Sequence, residues 1–287
     1  RELPVVREPL APPEQRVFGL KSAVDPEDGL IGCKLGGYWP ANASQGRPNH
    51  QSTVVLVDPD TGIPTAVLDA TRLTALRTAA AAALSIELLA PAAARVLGLI
   101  GAGQQAEYHV RAACDARAFD TVLLWNRTRA RAERLRDALA DLGVPVELVD
   151  SVDSLVAAAD VLVTVTGSRA PLFRAERLRA AVHVAAMGAD TRGKQELPPD
   201  LLQGAALYTD VVSQALSIGE FQHLPPVHAG TRGRICPLGA VLREPGLGRL
   251  EAAETTVYDG TGTALQDLVL ARCVLQALDE ERARAGQ

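Results

Sequence analysis

The hexapeptide Gly101-Ala102-Gly103-Gln104-Gln105-Ala106 follows the apolar run RVLGLI and opens a stretch of helical character, AEYHV. A GxGxxA spacing between strand and helix has specific mechanics. Gly101 permits a tight turn, Gly103 lets the backbone approach a pyrophosphate, and Ala106 lets the helix pack closely on its strand. The free N–H groups and positive dipole end of that helix then face the phosphates. A lone GxGxxA is also compatible with a plain tight turn. Its place at the head of several strand–helix alternations makes it a dinucleotide fingerprint.

The next apolar run, TVLLWN, ends in Asn126-Arg127-Thr128, with no Asp or Glu where a ribose 2′-hydroxyl is commonly held. A guanidinium can donate two parallel charge-assisted hydrogen bonds to a 2′-phosphate. NADP is therefore expected ahead of NAD, with NAD possible. The alternative is an Arg127 that merely meets solvent. Thr166, at the end of DVLVTVT, joins the expected cofactor contacts.

Two isolated cations stand in apolar surroundings: Lys34 in LIGCKLGGYW and Arg77 in LTALRTAAAAAL. On composition alone, a water-facing strand residue and an exposed helix residue account for them equally well. Among acids, Asp210 closes the run ALYTD, and carboxyl ends of parallel strands face the ligand crevice. Asp190, Glu196 and Glu220 read as structural. There is no nucleophile elbow, HExxH or P-loop, and the five histidines form no metal-ligand spacing. No metal is expected. The four cysteines are scattered without a CxxC pair, which fits a reducing compartment.

Positioning these residues requires two kinds of element. STVVLV (52–57) and PTAVLD (64–69), joined by Asp58–Gly62, read as a hairpin. A helix follows from Thr71 and stops at Pro91. Then RVLGLI, TVLLWN, VELVD, DVLVTVT, AVHVAAMG and ALYTD alternate with segments long enough for crossover helices, the pattern of a parallel sheet buried on both faces. The stretch from His223 to Gly248 reads as a Pro/Gly-rich loop. From Thr263 a last helix has apolar spacing at Leu265, Leu268, Val269 and Ala271. The fold class is α/β, a Rossmann-type parallel-sheet domain (93–250) plus a smaller α+β domain (1–92, completed by 251–287).

With 47% hydrophobic residues and only 3% aromatic ones, Ala, Leu and Val must build the core. The net charge of −5 and the lack of a basic stripe interleaved with aromatics argue against nucleic-acid binding. No apolar run is long enough to span a membrane and no signal-peptide pattern appears, so a cytoplasmic protein is expected.

KLGGYWPAN, DPDTGIPTAVLDATRLTALRTAAA, IGAGQQA, WNRT and VYDGTGTALQD, taken in order, resemble the ornithine cyclodeaminase and mu-crystallin family over nearly the whole chain. The resemblance implies a homodimer of two-domain subunits. The N-terminal part and the last helix would form the substrate and dimerisation domain around an inserted Rossmann domain. Members include ornithine cyclodeaminases, ketimine reductases, and alanine or arginine dehydrogenases. They usually carry a helical segment ahead of the position where this sequence starts, so the chain looks shortened. Carried over by position, Lys34 and Arg77 lie near the substrate carboxylate, Arg7 in VVREPL grips it too, and Asp210 is the acid/base, with Lys34 also counted as catalytic. The WNRT run is similar to the NADPH-using mu-crystallin branch.

Lys21, in FGLKSAVDP, occupies a pocket-lining segment where many relatives show an uncharged residue. A second ammonium there opposes the δ-ammonium of ornithine, so a neutral or acidic side chain, or a cyclic imine acid, is the expected substrate. The reaction implied is hydride transfer at the α-carbon of a small amino or imino acid. An ornithine cyclodeaminase with no net redox change and a non-catalytic NADPH-binding protein are the alternatives.

Overall fold

The computed structural model describes residues 6–10 (backbone), 16–224, 235–249 and 254–285. The chain divides into two compact units, one of residues 1–77 with 263–287 and the other of residues 78–262.

The smaller unit is an antiparallel meander of β1 (Val6–Leu10), β2 (Arg16–Asp25), β3 (Leu30–Tyr38), β4 (His50–Val57) and β5 (Pro64–Asp69), paired in that order. The β4–β5 hairpin appears as the alternation predicts. One face is covered by the last helix, α8 (Ala264–Ala285), which packs on β2, β3 and β4. Ala23, Leu30, Val54, Leu56, Leu73, Ala264, Leu268 and Ala271 form the core there. The buried face of α8 runs through Ala264, Asp267, Leu268 and Ala271, whereas Val269 is exposed. The apolar spacing in sequence is thus rotated by part of a turn, because an acid occupies the covered face.

The larger unit is an eight-stranded sheet in the order β12-β11-β13-β10-β9-β6-β7-β8, every pairing parallel. Its strands are β6 (Val96–Ile100), β7 (Thr121–Trp125), β8 (Val146–Leu148), β9 (Val161–Thr164), β10 (His183–Ala186), β11 (Ala206–Thr209), β12 (Cys236–Pro237) and β13 (Thr256–Asp259). Leu97, Leu99, Ile100, Val161 and Leu162 have no exposure at all, which is what a sheet covered on both faces requires. Each such side chain contributes about 1.5–3 kcal/mol by burial. Helix α1 (Thr71–Leu89) starts in the smaller unit, and its later residues Ala82, Ile86 and Leu89 join the larger unit's core. The helices α2 (Ala106–Ala116), α3 (Arg129–Ala138), α4 (Val152–Ala158), α5 (Pro199–Gly204), α6 (Val212–Ile218) and α7 (Leu238–Arg243) complete the described part.

The units divide at 77/78 and 262/263, not at 92/93 and 250/251. The cause is twofold: α1 buries its later turns against the parallel sheet, and residues 256–259 form the strand β13, inserted between β10 and β11. The stretch read as a loop from His223 to Gly248 contains β12 and α7; its residues 225–234 lie outside the described ones. Among the described residues no helix is long and apolar enough to cross a membrane, and no cluster of His, Cys, Asp and Glu is arranged to hold a metal.

Candidate active site

In the smaller unit, β2 and β3 run antiparallel with Lys21 directly opposite Lys34. Both are buried, on the face that α8 covers, at 5% and 6% exposure. They are drawn there by Asp267 in the first turn of α8, itself wholly buried. Lys34 Nζ lies 2.7 Å from Asp267 Oδ2 and Arg77 Nε 2.9 Å from Oδ1. Lys34 Nζ also donates to Thr74 Oγ1 (3.4 Å), which shares a hydrogen bond with Ser52 Oγ (3.1 Å), and Arg77 donates to Gln266 Oε1 (3.5 Å). Burial alone pushes the Asp267 carboxyl up, but the charges of Arg77, Lys34 and Lys21 outweigh it and hold the group below its usual range. The expectations for Lys34, Arg77 and Lys21 therefore meet at one carboxylate, which sequence reasoning missed. The available signal was an acid set among apolar residues in TALQDLVLA. Arg7 lies in β1 with its backbone paired to Gly19; its side chain is outside the described part.

In the larger unit, β6 and β9 flank the point where the strand order reverses, the position at which doubly wound sheets open a crevice beyond their carboxyl ends. Gly101 follows β6 with φ +117°, and a Cβ there would come within 2.8 Å of Val165 O. Only glycine suits that position. At Gly103 a Cβ would meet nothing within 4 Å, so the space above the loop is open. Ala102 is half-buried, Gln104 exposed and Ala106 fully buried against the core. Gln105 Oε1 is buried without a hydrogen-bond partner among the described residues. The open space above Gly103 and the N–H groups at the start of α2 fit a dinucleotide pyrophosphate. Asn126 accepts from the Ala102 amide (3.1 Å) and donates to Thr128 O (2.9 Å), which ties the glycine loop to the end of β7. Arg127 and Thr128 are exposed beside it. Thr166, after β9, gives its amide to Glu196 Oε1 (2.6 Å).

Asp210 stands at the end of β11. Its carboxylate accepts from the Val211 amide (2.8 Å), Thr261 Oγ1 (2.7 Å) and the Gly262 amide. Behind it three acids are fully buried: Glu196, Glu220 and Asp259. Glu196 accepts from Thr164 Oγ1, Thr166 N and Gly188 N; Glu220 accepts from the amides of Glu196 (2.7 Å) and Leu197 (3.1 Å). Burial, then the neighbouring Glu196, pushes Glu220 up to about 8. Burial, then Glu220, holds Asp259 well above the ordinary carboxylate range. Asp190 instead pairs with Lys194 at 2.7 Å, half-exposed.

A parallel, doubly wound sheet with a glycine turn at its switch point is a Rossmann-type dinucleotide-binding unit, here attached to an antiparallel unit holding buried cations. The ornithine cyclodeaminase/mu-crystallin family model matches residues 6–282, and the chain belongs to that family. It is 46% identical over 273 residues to the iminosuccinate reductase of Paracoccus denitrificans, covering 95% of this chain and 84% of the relative. The crystal structure of that reductase with NAD+ superposes with a TM-score of 0.89 over 98% of this chain and 86% of its own. The ketimine reductase mu-crystallin of Mus musculus is 32% identical over 257 residues, 90% of this chain and 79% of the relative. An archaeal alanine dehydrogenase dimer with bound NAD is 31% identical with a TM-score of 0.88, covering 98% and 86%.

Proposed function

We propose that this protein is an NAD(P)-dependent imine reductase acting on a small α-imino acid that carries a second carboxylate. The reading rests on one observation above the others: the buried Lys21 and Lys34 and the largely covered Arg77 gather around the carboxylate of Asp267. Cationic side chains gathered in one buried place favour an anionic ligand. Lys34 and Arg77 take the α-carboxylate, with Arg7 as a further contact, and Lys21 meets the distal one. The likeness to an iminosuccinate reductase points the same way. A δ-ammonium, as in ornithine, would instead be repelled by Lys21.

The reduced nicotinamide supplies the hydride that the imine carbon gains. The loop Gly101–Ala106 holds the pyrophosphate and Asn126 braces that loop. Arg127 and Thr128 meet the adenosine ribose, where an Arg favours a 2′-phosphate. Thr166 contributes on the β9 side. Asp210, held by hydrogen bonds from Val211, Thr261 and Gly262, handles the proton that the imine nitrogen gains as C=N becomes CH–NH. The protein acts as a homodimer. Support comes from Phe18, Leu35 and Val67, exposed apolar residues that the strand registers place on the sheet face opposite Lys21 and Lys34.

The test is oxidation of NAD(P)H by mixtures of ammonia with oxaloacetate or pyruvate, in wild type and Lys21→Met. The dicarboxylate imine is expected to be reduced efficiently, and Lys21→Met to lower its kcat/KM about ten- to a hundredfold, the worth of a charged hydrogen bond, with little change for the monocarboxylate. Equal losses on both substrates would remove the dicarboxylate reading. Ammonia release from ornithine without net NAD(P)H consumption would favour a cyclodeaminase, and tight nucleotide binding without any turnover a binding protein.

A further inference from the structure

The turn of residues 259–262 is fixed at both ends by acids. At its far end Thr261 and Gly262 donate to Asp210. At its start the Asp259 side chain accepts from the Phe221 amide at 3.1 Å. Gly219 lets that anchor approach: a Cβ there would lie 2.3 Å from Asp259 Oδ2. Thr209 Oγ1 donates to Asp259 O (2.8 Å), which pins the backbone of the turn to the strand carrying Asp210. Glu220 continues the chain by holding the amides of Glu196 and Leu197, and Glu196 holds those of Thr166 and Gly188. Each buried acid thus grips the backbone beside the next.

We propose that Asp259 is the positioning residue for Asp210, anchoring the 259–262 turn so that the Thr261 hydroxyl and the Gly262 amide are delivered to the Asp210 carboxylate. Asp259 has no solvent exposure and acts only through the turn. The same chain of acids separates two effects. Its Asp259 end governs the proton-handling carboxylate, while its Glu196 end governs the Thr166 segment assigned to the cofactor. An amide keeps the acceptor oxygen that the Phe221 amide meets, so Asn is a close substitute for Asp259 and an alkyl group is not.

The proposal rests on the role given to Asp210 above, so it is tested by one readout that needs no turnover and one that does. Hydrogen exchange of the segment 260–263 is expected to quicken at least about tenfold in Asp259→Ala, through local opening of the turn. It should stay near wild type in Asp259→Asn, with β6 protected in both. Gly219→Ala, which displaces the carboxylate without removing it, should reproduce the Asp259→Ala pattern. In turnover, Asp259→Ala is expected to lower kcat about ten- to a hundredfold at unchanged NADH affinity, Asp259→Asn to restore most of it, and Thr261→Val to add little to Asp259→Ala because both act along one path. Unchanged exchange in Asp259→Ala, or independent, multiplicative losses from Asp259→Ala and Thr261→Val, would overturn the proposal. A wild type that turns over no imine would overturn the function reading instead, with the exchange result still deciding whether Asp259 holds the turn.

Discussion

The two units bury charge in opposite ways. In the smaller one, Lys34 and Arg77 pair with the Asp267 carboxylate at 2.7 and 2.9 Å, and the charge of Lys21 also lowers its pKa. In the larger one, Glu196, Glu220 and Asp259 are buried on backbone amides and hydroxyls, all three raised by burial and the last two also by a neighbouring acid. Ion pairing keeps charge present and available to an anion. Amide pairing of acids that burial pushes upward works through geometry rather than charge. The first arrangement suits recognition of a charged substrate, and the second suits holding loops at the carboxyl ends of parallel strands.

The contrast breaks most visibly at its centre. Asp267→Ala should cost about 3–5 kcal/mol, because it leaves neighbouring cations buried without their carboxylate; urea unfolding checks this. Because the folded Asp267 pKa is lowered, its stabilising contribution is present above the ordinary carboxylate value and is lost as pH falls through the folded one. The wild type should therefore lose stability on acidification below about pH 4, and the variant should lack that limb. An Asp267→Ala protein as stable as wild type would show that the cations are held by other means.

On the opposite side, the sign reverses. Glu220 has a raised folded pKa, so its contribution is fully present below its ordinary value and is lost as pH rises through about 8. Wild type should be less stable near pH 9 than near pH 5 by on the order of 3 kcal/mol from this group. Glu220→Gln should flatten the profile. An identical slope in the variant would mean that Glu220 does not carry the alkaline loss.

Exposed charge behaves differently from either buried set. Arg127 lies at the surface, so Arg127→Ala should leave stability within about 0.5 kcal/mol. It should also erase a preference for NADPH over NADH of roughly tenfold. Equal dissociation constants for both cofactors in wild type would remove the 2′-phosphate reading.

Much of this was legible in the residues. The strand–turn–helix around Gly101 and Gly103 combines a continuous apolar run with a spacing that few other structures need, and Pro91 ends α1 by its own chemistry. The strands β2 and β3 were not picked out, because their alternation is inverted in polarity. Lys21 and Lys34 sit on the covered face, where a period-two reading expects apolar residues, and Asp267, distant in sequence, reverses the cost. Strand β13 is only four residues long, and its central place between β10 and β11 is set by pairing rather than by its own pattern. Asp259 and Asp267 are single acids in short motifs. Nothing local distinguishes a buried acid from a solvated one until the partner segments are brought together.

The smaller unit is discontinuous, and this has a consequence for how the protein is made. Its core needs Ala264, Leu268 and Ala271, and its lysines need Asp267, all of which are synthesised after the 185 residues of Thr78–Gly262. At ordinary ribosomal speeds that is a wait of roughly ten to forty seconds. During it, the first strands carry Lys34 aimed at a carboxylate that does not yet exist, while the parallel sheet is already complete in sequence. Ribosome-bound chains halted just after residue 262 should therefore be cut readily by protease across residues 16–77 and resist it across 96–164, and resistance in both segments would show that the meander closes without its last helix.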